Sequence, residues 1–181
     1  MFKKIPLSLP DLDLNRIRGP FQEGYGPFFH SFNILDHEYL DSLVCKQLRF
    51  HIAPITCSFT VVTFRGTPDA HTDASMTALN YYIKSSQAQT KFYRALDPNA
   101  RLVVPQRLGV GVGHDSGTFM YTDNNLVEVD SFTANDHEAY LLNVHEIHKV
   151  IKEPLTPHRT MIRWLWPHVP FEQVLDSIEI L

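Results

Sequence analysis

A histidine and an aspartate two positions apart, His71 and Asp73, stand in the segment DAHTDA of residues 69–74. In an extended chain, side chains at positions i and i+2 point to the same face, so both can reach one ion. An imidazole nitrogen and a carboxylate oxygen are two of the three ligands of the facial triad that holds Fe(II). Because the chain has ten histidines, such a pair also arises by chance, and it needs support from elsewhere in the sequence.

A third ligand must return to the same metal from a distant strand, and the segment LLNVHEIHKV of residues 141–150 offers two histidines. These are His145 and His148. They are three positions apart, so in a regular strand they face opposite sides and only one of them can be the ligand.

An arginine, Arg159, opens the apolar segment RTMIRWLW of residues 159–166, eleven positions after His148. A buried arginine at the start of such a strand needs an anionic partner. A small dicarboxylate would supply one through a two-pronged salt bridge. Arg163 lies four positions further on and can share the same face of the strand, so it is a rival for this role, or it contacts substrate or pairs with an acid.

The order of these motifs resembles that of the Fe(II)/2-oxoglutarate-dependent dioxygenases, and most of all their prolyl-hydroxylase-like branch. His-x-Asp comes first, His148-Lys149-Val150 matches the distal His-x-Val, and Arg159 opens a hydrophobic strand that contains Trp164. Within this resemblance His148 is preferred to His145, and Arg159 lies nearer the expected spacing than its rival. The resemblance covers roughly residues 58–166, although residues 89–93 lack the Gly-Gly turn that precedes the corresponding family segment.

The resemblance implies a double-stranded β-helix of the jelly-roll type that uses Fe(II), 2-oxoglutarate and O2. The enzyme would hydroxylate or demethylate an organic substrate and release succinate and CO2. The implied metal ligands are His71, Asp73 and His148. Arg159 would bind the co-substrate, and the strand after the His-x-Asp motif would line its pocket with Asn80, Tyr81 and Tyr82. Because neighbouring residues of a strand alternate faces, only one of the two tyrosines would contact the co-substrate.

The elements that must position these residues are short strands, which favours a mainly β antiparallel sandwich or barrel, with a jelly roll as a standard solution. One domain over residues 1–181 is predicted: an arm and helix at 1–57, a jelly-roll core at 58–166 and a closing helix at 167–181. The arm is expected to be irregular up to residue 33, with one or two short strands. Helices are predicted at 36–47 and 170–178. Strands are predicted at 58–64, 77–83, 90–94, 101–104, 118–121, 126–129, 139–143, 149–152 and 159–166.

The composition of the chain narrows its expected binding partners and its expected cellular location. The chain has 181 residues, 44% of them hydrophobic, which suits one domain with a real core. Its net charge of -4 without long single-sign runs argues against a large nucleic-acid footprint, though a small basic groove remains open. Two isolated cysteines give no disulfide framework, and neither a signal peptide nor a membrane span is expected. A cytoplasmic protein acting on a small molecule or a peptidyl residue is the expectation.

Two other classes of function remain open. One is a jelly-roll, cupin-like binding or structural protein whose metal site is vestigial or absent. The other is a different metalloenzyme on the same scaffold, such as an isomerase or a dioxygenase that needs no 2-oxoglutarate. Arg159 favours the oxygenase, because a carboxylate co-substrate calls for such a partner. Substrate choice is expected to depend on residues 1–33, 65–76 and 105–117.

Overall fold

Fifteen strands, three α-helices and one 3-10 helix, Asp123–Asn125, are present in the part of the chain that the computed structural model describes, which is residues 1–9, 11–25, 29–63, 69–97, 99, 101–103, 119–151 and 158–181. The first strands are β1 Phe2–Ile5, β2 Arg18–Tyr25, β3 Phe29–Ile34, β4 Leu48–Phe50 and β5 Thr56–Val62. The next are β6 Ala70–His71, β7 Thr77–Lys84, β8 Gln89–Ala95, β9 Arg101–Val103 and β10 Phe119–Tyr121. The last are β11 Leu126–Thr133, β12 Glu138–Asn143, β13 Ile147–Ile151, β14 Arg159–Trp166 and β15 Ile178–Ile180. The helices are α1 Leu14–Ile17, α2 His37–Val44 and α3 Phe171–Asp176.

Two antiparallel sheets form the body of the protein. The larger sheet has the order β1-β12-β7-β14-β5-β3-β2, and the smaller has the order β11-β8-β13-β6-β10-β9. Four antiparallel strand pairs alternate between the larger and the smaller sheet along the chain. In order, these pairs are β5–β14, β6–β13, β7–β12 and β8–β11. This is the topology of a jelly roll, so the predicted fold class of a mainly β, double-stranded β-helix is confirmed.

The larger sheet is buried on both faces along its central strands. In β7 the first six residues are buried, and they alternate between two hydrophobic clusters. Leu79 and Tyr81 belong to an outer cluster that also contains Trp166 of β14 and side chains of the three helices. Ala78 and Tyr82 belong to an inner cluster that also contains residues of the smaller sheet. The inner face of the larger sheet is therefore the one that can form a pocket between the sheets.

The first 57 residues are more regular than expected. β1 pairs with β12 at one end of the larger sheet, and β2 and β3 extend it beyond β5 at the other end. The sequence gives no sign of β2, because register irregularities interrupt its pairing with β3 and its side chains do not alternate between polar and apolar with a period of two. The prediction of one or two short strands was therefore wrong.

Two of the three α-helices, α2 and α3, agree in position with the predictions but are shorter, whereas α1 was not predicted. The carboxylate of Asp36 accepts a hydrogen bond from the backbone N–H of Tyr39 at 2.9 Å and caps α2, as expected of an N-terminal aspartate. α2 ends at Val44 rather than at residue 47, and α3 ends at Asp176 rather than at 178. The residues that follow each helix form a small two-stranded sheet of β4 and β15, which the sequence did not indicate.

Other predicted strands lie within one to four residues of the observed bounds. Four of them have an end residue, namely 64, 104, 118 or 152, that lies outside the described residues, as does the glycine-rich run 109–113 that was expected to form a loop. In the described ranges, no helix has the length and apolar character that crossing a membrane requires.

Candidate metal centre

The three predicted metal ligands lie together on the smaller sheet. His71 is the last residue of β6, and its Cα is the register partner of the Cα of His148 on β13. Asp73 lies in the connection just after β6. One ligand atom from each residue can be chosen so that all three atoms lie within 4.8 Å of one another. The described part of the chain contains no other group of three histidine, cysteine or acidic side chains with this property.

Hydrogen bonds leave one nitrogen of each imidazole for a metal. Nδ1 of His71 lies 2.9 Å from the carbonyl oxygen of Asp69, and Nδ1 of His148 lies 2.9 Å from that of Glu146. A carbonyl oxygen only accepts, so each Nδ1 carries the proton and donates it. The lone pair of each neutral ring is then on Nε2, and a backbone acceptor on the other nitrogen is the usual arrangement of a metal-binding histidine.

The carboxylate of Asp73 has two different surroundings. Its Oδ1 lies 3.6 Å from Nε2 of His71. Its Oδ2 accepts a hydrogen bond from the Arg163 guanidinium at 2.6 Å. The backbone N–H of Asp73 donates to the carbonyl oxygen of Val144 at 2.8 Å, which holds the connection after β6 against the segment before β13.

Electrostatics keep these groups in the protonation states that a metal needs. Burial alone would raise the pKa of Asp73, but the charge of Arg163 and the two imidazoles outweigh burial and lower that pKa to about 2. Burial is also the main reason why the pKa of His148 falls to about 4, although Asp73 works against it. At neutral pH the centre therefore contains a carboxylate and a neutral imidazole, both of which bind metals.

The donor set fits a divalent metal ion. Atoms bound to one ion at about 2.1 Å lie about 3 Å apart when the bonds are at right angles. Small side-chain rotations would close the observed separations to that value. Two imidazoles and one carboxylate are the facial set that suits Fe(II) and leaves the remaining positions open. His71, Asp73 and His148 are thus able to hold a metal ion.

His145, the alternative third ligand, lies apart from this group. It is exposed in the turn between β12 and β13, whereas His148 is 7% exposed inside the sandwich. A ring–ring contact of 4.6 Å between centroids joins His148 to His71, and no corresponding contact of His145 occurs among the described residues.

Arg159 is buried on the inner face of the larger sheet. It is 4% exposed, and burial lowers the pKa of its guanidinium. Nε donates to the carbonyl oxygen of Ser85 at 3.3 Å and Nη2 donates to that of Ala88 at 2.8 Å. The guanidinium carbon lies 4.9 Å from the ring centroid of Tyr82. The connection between β7 and β8 thus fixes the plane of this cation.

The two adjacent tyrosines face opposite sides, and the structure decides which one lies on the inner face of the larger sheet. The hydroxyl of Tyr82 accepts a hydrogen bond from Nδ2 of Asn80 at 3.4 Å on the inner face. The hydroxyl of Tyr81 accepts instead from the backbone N–H of Leu9 at 2.9 Å and contacts His137. Tyr81 therefore belongs to the outer face, and its expected place among the co-substrate residues is corrected.

Several polar atoms on the inner face lack a hydrogen-bond partner among the described residues. Oδ1 of Asn80, Oγ1 of Thr90 and Nε of Arg163 are buried and unpaired there. Because an unsatisfied buried polar atom costs about 1–3 kcal/mol, such a group of three suggests room for a polar ligand. Asn80 and Arg163 are register partners on β7 and β14, so two of these atoms come from adjacent positions.

The contact of Arg163 with Asp73 is the feature of the centre that sequence reasoning left undecided. Its spacing of four from Arg159 places both on one face, but only the packing of the two sheets shows which acid it meets. The backbone acceptors of the histidines carry no sequence signal at all. Of the expected substrate-selecting segments, residues 10, 26–28, 65–68 and 105–117 lie outside the described residues.

Comparisons with known proteins show weak structural similarity only. No family model matches the chain, and no curated protein matches it. Vicilin from hazelnut, Corylus avellana, aligns with a TM-score of 0.40 and 10% identity over 91% of this chain and 33% of that chain. The polyketide cyclase RemF from Streptomyces resistomycificus aligns with a TM-score of 0.37 and 10% identity over 87% of this chain and 79% of that chain. The present chain thus spans about one third of the vicilin chain, and similarities of this size carry no conclusion about function.

Proposed function

We propose that this protein is an Fe(II)- and 2-oxoglutarate-dependent dioxygenase that hydroxylates or demethylates an organic substrate. The observation that carries the proposal is the convergence of His71, Asp73 and His148 next to an inner sheet face that also holds a buried arginine. The metal group supports an open facial site, and Arg159 supports an anionic co-substrate.

The inner face of β14 contains both arginines, one near the metal centre and one further along the strand. Arg163 reaches the carboxylate of Asp73, so its end of the strand lies at the metal centre. Arg159 lies four residues away on the same strand, about 13 Å at the rise of an extended chain. Met161 lies between them and is 5% exposed, and its register partner is Tyr82. A short dicarboxylate that meets the metal at one end and Arg159 at the other would lie along this stretch.

Charge also favours an anionic co-substrate. A divalent metal ion would bring positive charge to a partly buried site, where such charge is costly unless it is paired. A dicarboxylate would bring negative charge to the metal, and guanidinium groups suit carboxylates because their donors match both oxygens.

The metal with its co-substrate would supply the oxidising chemistry. In balance, 2-oxoglutarate loses CO2 and takes one oxygen atom of O2 to become succinate. The other oxygen atom enters a C–H bond of the substrate as a hydroxyl. O2 thus accepts four electrons, two from each organic molecule. When the hydroxylated carbon is an N-methyl group, loss of formaldehyde gives demethylation.

The chain's own residues would bind, orient and exclude water. The backbone carbonyls of Asp69 and Glu146 orient the two imidazoles, and Arg163 orients the carboxylate. Phe92, whose ring centroid lies 6.1 Å from that of His148, belongs to the inner apolar cluster that keeps bulk water away. A site of this kind protects reactive chemistry from the solvent.

Two measurements test the proposal. Anaerobic addition of Fe(II) and 2-oxoglutarate is expected to give a weak visible charge-transfer band that His71→Ala and Asp73→Ala abolish. In air, uncoupled turnover is expected to convert 2-oxoglutarate to succinate, and a metabolite and peptide screen would then look for stimulation. The resemblance to prolyl-hydroxylase-like enzymes makes amino acids and peptidyl residues the first candidates. A protein that binds the metal but neither binds nor consumes 2-oxoglutarate would instead be another metalloprotein on this scaffold.

A further inference from the structure

We infer that Arg163 is a positioning residue that restricts Asp73 to one metal-binding oxygen and so keeps three adjacent coordination positions open. The inference rests on the proposed metal site, and it concerns the geometry of that site rather than the identity of the substrate. It starts from the contact of 2.6 Å between the guanidinium of Arg163 and Oδ2 of Asp73.

The two oxygens of Asp73 are not equivalent. Oδ1 lies 3.6 Å from Nε2 of His71, the nitrogen available to a metal, whereas Oδ2 is engaged by Arg163. A charge-assisted hydrogen bond of this length is among the strong ones, and it competes with any second bond from Oδ2 to the ion. The side chains of Arg163 and Asp73 are 16% and 25% exposed, so water screens the contact only in part.

The backbones of the two partners are held differently. Arg163 lies inside β14, in register with Ser58 of β5 on one side and Asn80 of β7 on the other. Asp73 lies outside the strands, in the connection after β6, where its backbone N–H donates to the carbonyl oxygen of Val144. The guanidinium therefore extends from a strand paired on both sides to a carboxylate in a connecting segment, and the contact of 2.6 Å restricts Oδ2.

Stability alone does not explain this placement. Nε of Arg163 is buried without a hydrogen-bond partner among the described residues. An unsatisfied donor of this kind costs about 1–3 kcal/mol, which offsets much of what the ion pair contributes. An arginine that served only to join the two sheets would be expected to use this donor as well. Its orientation instead serves the contact with Asp73.

The number of oxygens that Asp73 offers decides how many coordination positions remain. A six-coordinate ion with two imidazoles and one oxygen has three free positions, whereas a carboxylate bound through both oxygens leaves two. A 2-oxo acid that chelates the ion uses two positions. Only the arrangement with one oxygen then leaves a place for a second small reactant, so Arg163 would decide whether both co-substrates fit at once.

The test counts exchangeable water molecules on Mn(II), a redox-stable substitute for Fe(II), by water-proton relaxation in the full chain without 2-oxoglutarate. Wild type is expected to carry three waters. Arg163→Met is expected to carry two, because Oδ2 becomes free to bind, and to bind Mn(II) at least as tightly, since a nearby positive charge is removed. Arg163→Lys is expected to restore the third water, because an ammonium can still donate to Oδ2.

A matched control is available in Lys149, which lies on β13 beside His148. Its ammonium is paired with Asp123 at 2.6 Å, and its side chain is 10% exposed, so the length of the contact and the burial of the cation resemble those of Arg163, while Asp123 is more exposed than Asp73. Lys149→Met removes such a pair without touching Asp73 and is expected to keep three waters. If Arg163→Met does not fold, as judged by circular dichroism, Arg163→Leu is measured in its place, with the same loss of one water expected because leucine also has no donor for Oδ2.

Three waters in the variant without the guanidinium would overturn the inference, as would an equal loss of water in Lys149→Met. A wild-type protein that binds no Mn(II) would overturn the metal site and this inference together. The expected water counts combined with no affinity for 2-oxoglutarate would instead refute the dioxygenase and leave the role of Arg163 in place.

Discussion

Replacing Arg159 by lysine is expected to weaken the binding of 2-oxoglutarate by roughly 10- to 150-fold while the protein still folds. Two backbone carbonyls, those of Ser85 and Ala88, fix the guanidinium plane at 3.3 and 2.8 Å. A lysine ammonium is a point charge without the forked donor geometry, so it cannot serve the carbonyls and both oxygens of a carboxylate together. Loss of one charge-assisted hydrogen bond is worth about 1.5–3 kcal/mol, which gives the stated range.

Lysine is preferred to methionine for this test because of the same two carbonyls. Ser85 and Ala88 are each 1% exposed, so Arg159→Met would leave both carbonyl oxygens buried without this donor. At about 1–3 kcal/mol for each, the loss of stability would obscure an effect on binding. Lysine retains the charge and one donor in reach of the loop.

The assay is calorimetric titration of the Mn(II)-loaded protein without O2, with 2-oxoglutarate and with 2-oxopentanoate. The second acid has the same length and the same chelating end but no distal carboxylate. Arg159→Lys is expected to weaken 2-oxoglutarate binding and leave 2-oxopentanoate binding nearly unchanged. An equal effect on both acids would show that the arginine acts on the fold or on the metal end, and no effect on either would refute its role as the carboxylate partner.

Three further predictions concern the metal ligands and the fold. His148→Ala is expected to lose stoichiometric metal binding, measured by elemental analysis after gel filtration, while His145→Ala retains it because that side chain is exposed outside the centre. Glu138 has its pKa lowered to about 2, because hydrogen bonds from Lys4 and other donors outweigh its burial. The contribution of this carboxylate to stability is therefore complete above its ordinary pKa of 4.5 and is lost as the pH falls toward 2. Since Lys4 is 57% exposed and solvent screens the pair, Glu138→Gln is expected to cost about 2 kcal/mol in urea unfolding at pH 7 and almost nothing near pH 2. Gly19→Ala is expected to destabilise the protein by about 1–3 kcal/mol in urea unfolding, because its Cβ would lie 2.6 Å from a backbone oxygen of β3.

Each of these has an outcome that contradicts it. Metal binding lost in His145→Ala and retained in His148→Ala would reverse the assignment of the third ligand. A cost of Glu138→Gln that stays constant from pH 7 to pH 2 would show that the charge of this carboxylate is not involved. Gly19 lies outside the jelly-roll core, so Gly19→Ala is expected to leave metal binding unchanged. A free energy of unfolding equal to that of wild type would contradict the packing argument.

Much of the architecture follows from local sequence pattern. Runs of β-branched and aromatic residues such as 77–83 and 159–166 predict strands, and β7 and β14 are found there. These two strands lie in the centre of the larger sheet, where both faces are buried, so apolar side chains are needed on both faces. The aspartate at position 36 predicts the start of α2, since its carboxylate can satisfy a free N–H of the first turn. These signals depend on interactions within a few residues, so they can be recognised in the amino-acid sequence without knowledge of the fold.

The arm and the two-stranded sheet show where such reasoning stops. β1 finds its partner β12 more than a hundred residues away, and β4 pairs with the last strand of the chain. Strands of this kind are stabilised by hydrogen bonds to distant segments rather than by their own side-chain pattern, so a local reading assigns them to loops or to the ends of helices.

The donor types of the candidate centre can be read from the amino-acid sequence: a histidine and an aspartate spaced for one face, two further histidines of which one has to approach them, and an arginine at the start of an apolar strand. The three-dimensional fold was needed to show that His148 and not His145 approaches His71, that Tyr82 and not Tyr81 faces inward, and that Arg163 contacts Asp73. This is because alternation along a strand specifies which residues share a face, whereas the packing of two sheets specifies which face is inside.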